Sequence, residues 1–241
     1  EYAPAFERAG HRVMPLDVTG ATLPDAMTHA VVVNPNNPTA QHVSAATLHR
    51  WHAQLSARGG TLIVDEAFAD TMPFASLAGS TDRTGLVVLR SPGKFFGLAG
   101  VRAGFVLAVP ALLAPLREAL GAWTVSGPAR HAVTAAFNDT EWQRAMRARL
   151  DKDSARLAAL LDAHRLPFSR TPLFAWTPDA RAAALHHALA QRGIWTRFFP
   201  APASVRFGLP ATDAQWSRLE QGLTDSMHAV DTTLLSTLHD R

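Results

Sequence analysis

Ser91-Pro-Gly-Lys94-Phe-Phe-Gly-Leu-Ala-Gly100-Val-Arg102-Ala-Gly104 holds one of only two lysines in the 241 residues. It is set among four glycines, with a serine three residues before it and an arginine eight after. The other, Lys152, lies between two aspartates in an alanine- and arginine-rich run and reads as an exposed helical residue. The remaining 21 of the 23 basic residues are arginine, so this chain uses arginine wherever a plain positive charge suffices. A lysine kept in a glycine-rich turn points to chemistry a guanidinium cannot perform. An amine can lose its proton and attack a carbonyl to form a Schiff base. An ordinary loop lysine is the plain alternative, and this stretch alone leaves both open.

The segments around it alternate between buried strands and helices. Ala30-Val-Val-Val-Asn34 is an apolar run that ends in Asn-Pro-Asn-Asn-Pro, a buried strand entering a turn. Val43, Leu48, Trp51 and Leu55 recur at helical spacing before Gly59-Gly60 stops the helix. Thr61–Val64 and Leu86–Leu89 are further buried strands, and Gly104–Val109 is a fourth, followed by a helix opened by Pro110. Upstream, Tyr2–Arg8 reads as the end of a helix and His11–Asp17 as a short edge strand. Fully apolar strands alternating with helices predict an α/β fold, a mostly parallel sheet with helices on both faces.

After Trp123 the pattern changes. Ser126-Gly-Pro128 opens a helix to about Phe137, and Thr140-x-x-Gln143 opens a long arginine-rich helix to about His164. Strands are expected at Leu173–Trp176, Ile194–Phe198 and Val205–Leu209, with a helix over Asp179–Arg192 and a last one from Thr212-x-x-Gln215. The reading is therefore a large domain over residues 1–138 and a smaller C-terminal α+β domain over 139–241.

Composition narrows the functional classes. Hydrophobic residues make up 47% and charged residues 18%, which suits a packed core, and the net charge is only +3. The arginines are scattered, without a basic run or interleaved aromatics, which argues against a nucleic-acid partner. With no cysteine, disulfides, thiolate metal sites and a cysteine nucleophile are excluded. No run of 18 apolar residues and no signal-peptide pattern is present, so a cytoplasmic protein without a membrane partner is expected. His42, His49 and His52 lack a carboxylate to complete a metal site, and one helix face accounts for the last two. A P-loop is excluded because Val88 and Phe95 stand where glycine and serine or threonine are required.

Polar groups stand at the strand ends, where α/β folds place ligands: Asn37, Asp65, Ser91 with Lys94, and Arg102. A pyridoxal phosphate site needs an amine for the aldehyde and a carboxylate to keep the pyridine nitrogen protonated. It also needs a donor to the ring hydroxyl, and hydroxyl and guanidinium groups for the phosphate. Each residue type is present, although singly each also has a structural reading as turn, helix cap or surface ion pair.

Asn34-Pro-Asn-Asn-Pro-Thr39, Asp65-Glu-Ala-Phe68 and Ser91-x-x-Lys94-x-x-Gly-Leu-Ala-Gly-x-Arg102-x-Gly104 resemble, in order and separation, three successive motifs of a known family. These are the fold-type-I pyridoxal-phosphate enzymes of the class I/II aminotransferase group. The resemblance implies Lys94 as the Schiff-base lysine, Asp65 on the ring nitrogen, Asn37 on the ring hydroxyl, and Ser91 and Arg102 on the cofactor phosphate. Arg206 in Val205-Arg-Phe-Gly-Leu-Pro210 is similar to the arginine that binds the substrate carboxylate, and Arg197 to one that faces a substrate phosphate. Phe68 stands where relatives carry a tyrosine on the ring hydroxyl, so it cannot supply that bond.

Within the group, Trp123-Thr-Val-Ser-Gly-Pro128, Thr171-Pro-Leu-Phe174, Arg206-Phe-Gly-Leu-Pro210 and Phe68 most resemble the L-threonine-O-3-phosphate decarboxylases of cobalamin biosynthesis. Those enzymes form 1-aminopropan-2-yl phosphate. A histidinol-phosphate-type aminotransferase is the alternative, because the motifs do not decide which Cα bond breaks. The resemblance further implies a homodimer, a small phosphorylated amino acid as substrate, and additional chain before Glu1. Without that chain, an inactive fragment of such an enzyme is the remaining reading.

Overall fold

A computed structural model describes residues 2–20 and 22–239, with side chains of the last helix described through Ala229. Its contacts divide the chain into two compact units, Glu1–Asn36 with His42–Asp139, and Asn37–Gln41 with Thr140–Arg241.

The first unit is built on β1 (His29–Val33), β2 (Thr61–Asp65), β3 (Leu86–Arg90) and β4 (Phe105–Leu107), hydrogen-bonded in that order. The first three strands are parallel and β4 is antiparallel to β3. Between β1 and β2 runs α2 (Ala45–Ser56), following the short α1 (Tyr2–Arg8). Ser44 caps α2 by accepting the Thr47 amide at 3.1 Å. Leu48, Trp51 and Leu55 are fully buried, packed with Val32, Leu62, Val64, Leu86 and Val88. Residues pointing to the other side of β1 and β2 (Val31, Val33 and Ile63) are half-buried. α3 (Pro110–Leu120) and α4 (Gly127–Asn138) complete this unit.

The second unit is a wholly antiparallel sheet, ordered β5 (Ser169–Thr171), β6 (Phe174–Pro178), β8 (Ala203–Gly208), β7 (Arg197–Pro200). With it pack α5 (Thr140–Ala163), α6 (Ala182–Gln191) and α7 (Asp213–His239). Leu157, Leu161, Leu185, Leu189, Trp216, Leu219 and Leu223 form its core with Ala175, Val205 and Phe207. Ser154 on α5 donates to the Thr171 carbonyl at 3.0 Å and accepts from Arg170 at 2.9 Å, which ties the helix to the β5 edge.

Four local features differ from the reading of the sequence. Residues 11–17 form no strand. Val13 and Met14 are 40% and 44% exposed and only Leu16 packs against the core, so the segment lacks an alternating apolar face to hold it in a sheet. The strand expected at Ile194–Phe198 begins at Arg197, because the turn ending α6 continues through Ile194, whose amide bonds the Leu189 carbonyl at 3.0 Å. β5 has no apolar run and exists through its pairing with β6. At the start of α7, Gln215 reaches back to the Ala211 amide (2.7 Å), and Thr212 Oγ1 accepts the Gln215 amide at 3.3 Å. The arrangement is a capping box displaced by one residue.

Gly60 marks the tightest backbone approach of the first unit. A Cβ there would lie 1.6 Å from the Thr28 carbonyl oxygen and 3.2 Å from that of Leu55. Gly60→Ala is therefore expected to force β2 away from the base of β1, at a cost of at least about 1–3 kcal/mol. Urea unfolding followed by far-ultraviolet circular dichroism checks this.

Candidate functional site

The three parallel strands are in register, with Val33 opposite Asp65 and Asp65 opposite Leu89. Their carboxyl ends are therefore level, and the ladder runs one residue further. The Asn34 amide bonds the Asp65 carbonyl at 2.8 Å, and the Glu66 amide bonds that of Leu89 at 2.9 Å. This is the sheet edge at which α/β folds gather ligand-binding groups.

Asp65 closes β2 half-buried. One carboxylate oxygen accepts the Ala67 amide at 2.9 Å, and the other accepts the Tyr2 hydroxyl at 2.6 Å. Lys94 is exposed in the loop after β3. Its ammonium nitrogen lies 5.4 Å from the ring centroid of the buried Phe68, a cation–π contact. Phe68 thus forms an apolar wall beside the amine. Ser91 Oγ accepts the Gly93 amide at 3.2 Å. A Cβ on Gly93 would meet that oxygen at 3.2 Å and Ala99 Cα at 3.3 Å, so the loop is folded closely upon itself. Arg102, exposed and left-handed at φ 51°, donates to the Ala99 carbonyl at 3.4 Å. The first unit thus brings together an amine, a carboxylate, a hydroxyl and a guanidinium on one sheet edge and its following loop. That donor set suits pyridoxal phosphate: amine for aldehyde, carboxylate for pyridinium, hydroxyl and guanidinium for phosphate.

The other three expected residues belong to the second unit. Arg206 on β8 and Arg197 on β7 are directly paired across the sheet. Like charges in that position repel until an anion lies between or above them. Burial, and then the neighbouring Arg197, lowers the pKa of the Arg206 guanidinium from its ordinary value. Arg206 also stands 5.2 Å from the Phe174 ring centroid, and Arg197 stands 5.8 Å from that of Phe199. Asn37 accepts a hydrogen bond from Arg206 through its side-chain oxygen. The role expected of Asn37 uses the opposite, donor end of the same amide.

Several residues of the site were not singled out by the motifs. Asn34, 2% exposed, donates to the Val43 carbonyl at 3.0 Å and accepts the Val43 amide at 2.8 Å. The pair staples both ends of the Asn-Pro loop. Behind Asp65, the buried Glu66 accepts the Leu77 amide at 2.6 Å and the Ser76 hydroxyl, and pairs with Arg90 at 3.3 Å. Arg90 also pairs with Asp70 and donates to Ser76 Oγ at 3.1 Å. Glu66 follows Asp65 and Arg90 precedes Ser91, so this network fixes two of the three motifs to one another. An acid and a base at the ends of neighbouring parallel strands was its legible signal. His52, by contrast, is structural, with Nε2 2.9 Å from the Thr84 carbonyl. Among the described residues no group of three His, Cys, Asp or Glu is placed to hold a metal.

The chain belongs to the aminotransferase class I and II family, whose model matches residues 22–219. It is 49% identical, over 225 residues, to a threonine-phosphate decarboxylase of Pseudomonas aeruginosa, a match spanning 92% of this chain and 68% of that protein. Its fold matches the L-threonine-O-3-phosphate decarboxylase of Porphyromonas gingivalis with a TM-score of 0.78 at 16% identity, over 94% of this chain and 74% of the other. It also matches a histidinol-phosphate aminotransferase of Sinorhizobium meliloti solved with pyridoxal-5'-phosphate, with a TM-score of 0.70 at 23% identity, over 84% of this chain and 58% of the other. The fold is that of the fold-type-I enzymes.

The Glu66 network yields a pH signature. Burial pushes the Glu66 carboxyl above the ordinary glutamate range, against the lowering influence of Ser76, the Leu77 amide and Arg90. A carboxyl raised in the folded state binds its proton more tightly there than in the unfolded chain. Its contribution to stability is thus full below the unfolded value of about 4.3, and is lost as pH rises through the folded one. Glu66→Gln is expected to flatten that part of the stability–pH curve. Arg90→Met leaves Glu66 and Asp70 without their cation and is expected to cost toward the low end of roughly 3–5 kcal/mol, since Arg90 is partly exposed. Denaturant melts at stepped pH check both.

Proposed function

We propose that this chain carries the pyridoxal-phosphate-dependent decarboxylation of L-threonine O-3-phosphate to 1-aminopropan-2-yl phosphate, a step of cobalamin biosynthesis. The observation that carries the reading is the 49% identity over 92% of the chain to a threonine-phosphate decarboxylase. It is supported by a lysine, a carboxylate, a hydroxyl and a guanidinium on one sheet edge and its following loop, the donor set for that cofactor.

When bound, pyridoxal phosphate supplies an electron sink for the pair left at Cα when carbon dioxide departs. Lys94 would supply the amine for the cofactor aldehyde, and would deliver the proton that takes the place of carbon dioxide at Cα. Asp65 would hold the proton on the pyridine nitrogen, and Ser91 and Arg102 would bind the cofactor phosphate. Phe68 would stand beside the Lys94 amine as an apolar wall, and the family resemblance gives Asn37 the ring hydroxyl. In the second unit Arg206 binds the substrate carboxylate and Arg197 the substrate phosphate, both by charge-assisted hydrogen bonds. Breaking the bond to the carboxylate, rather than the bond to hydrogen, follows from which of these anions each arginine grips.

The reading carries a homodimer working in the cytoplasm on a small phosphorylated amino acid, without nucleic-acid or membrane partners. Among the described residues no helix is long and apolar enough to cross a membrane.

Incubating the chain with pyridoxal phosphate and threonine phosphate tests the reaction. Carbon dioxide release is expected, and Lys94→Ala should abolish both it and the visible absorption band of the bound cofactor. Keto-acid-dependent amino exchange without carbon dioxide would favour a histidinol-phosphate-type aminotransferase. Absence of any visible band would mean a chain inactive as it stands. Arg197→Ala is expected to raise KM for threonine phosphate by about tenfold or more, the worth of one hydrogen bond to a charged group. The effect on unphosphorylated threonine should be much smaller, and steady-state kinetics on both substrates separates them.

A further inference from the structure

Tyr2 is the single tyrosine in 241 residues, and its hydroxyl is spent on the carboxylate of Asp65, 63 positions away, at 2.6 Å. The other oxygen of the same carboxylate takes the Ala67 amide at 2.9 Å. A carboxylate is free to turn about its last bond, and a donor on each oxygen removes that freedom. Each oxygen keeps a second lone pair, so a ring N–H can still be received. The Ala67 bond is local, spanning two residues. The Tyr2 bond comes from another element, α1, and is the one that ties the carboxylate's orientation to tertiary structure.

We infer that Tyr2 is a positioning residue, which holds the Asp65 carboxylate in the orientation that receives the pyridine nitrogen of the cofactor. The inference rests on the cofactor reading above. The role inferred for Tyr2 is exerted through Asp65, not on the substrate. Phenol-to-carboxylate hydrogen bonds are short and strong, and an acceptor turned by a few tenths of an ångström weakens what it binds next.

The sole tyrosine permits a direct test on the full 241-residue chain. With tyrosine carbon-13 labelled at Cζ, the chain gives one resonance in that region. Without cofactor, Asp65→Asn is expected to shift this resonance, since the phenol loses its anionic acceptor. A resonance indifferent to that substitution overturns the inference, whatever the cofactor does. On adding pyridoxal phosphate the resonance is expected to move again as the carboxylate engages the ring nitrogen.

Tyr2→Phe keeps the ring and removes only the hydroxyl. It is expected to weaken pyridoxal phosphate binding, read from the visible band, by about tenfold, the worth of one hydrogen bond to a charged acceptor. It should lower kcat while leaving KM for threonine phosphate nearly unchanged. A melting temperature unchanged by the substitution, together with the weakened binding, separates positioning from a folding defect. Cofactor affinity and kcat equal to those of the parent chain overturn the inference and leave the cofactor reading standing. No visible band in the parent chain itself overturns the cofactor reading, and this inference with it.

Discussion

The in-register parallel pairing of β1, β2 and β3 is the constraint on which the first unit's chemistry depends. Parallel strands must all end on the same side of the sheet, and equal lengths in register make them end at the same level. Asn34, Asp65 and Arg90 are therefore neighbours although they are far apart in sequence. The main-chain bonds from Asn34 to Asp65 and from Glu66 to Leu89 extend the ladder beyond the strands. Slipping one strand by one residue would turn Val64 outward and bury Asp65, so the apolar core and the polar edge enforce the same register.

Charge at that edge is layered. Asp65 stands half-buried at the sheet edge with two donors on its oxygens, while Glu66, next in sequence and pointing the opposite way, is buried beneath with Arg90, Asp70 and Ser76. Alternation along a strand sends the two adjacent carboxylates to opposite environments, so Asp65 stays half-buried at the edge while Glu66 is buried in the network. A buried ion network adds little net stability compared with an apolar replacement. It does fix a geometry, because each charge is costly to leave unpaired. Here the geometry is the spacing between the strand end that carries Asp65 and the loop that carries Ser91 and Lys94.

The second unit sets two like charges side by side. Arg197 and Arg206 occupy opposed positions on adjacent antiparallel strands, each beside an aromatic ring. Aromatic faces hold guanidinium groups in place without neutralising them, so the rings leave the repulsion between the two charges in place.

The strands and the principal motifs were legible in the sequence because they depend on local properties. Apolar runs such as Ala30–Val33 and Thr61–Val64 report burial directly. Glycines around Lys94 report backbone freedom, and the scarcity of lysine made Lys94 stand out. Segments whose state depends on a neighbour were misread or missed. His11–Asp17 alternates like a strand but has no sheet to join, β5 lacks an apolar run and exists through β6, and Ile194 looks like strand yet ends a helix. The motifs by themselves determined which residue types are available to a Schiff-base chemistry and in what order. Only tertiary structure decided that the Tyr2 hydroxyl meets Asp65 across 63 residues, and that Asn34 staples its loop to Val43. It also decided that Glu66 and Arg90 share a buried network and that Arg197 opposes Arg206. Hydrogen bonds between distant side chains leave no periodic trace in a sequence, because they are fixed by strand register and packing, not by spacing along the chain.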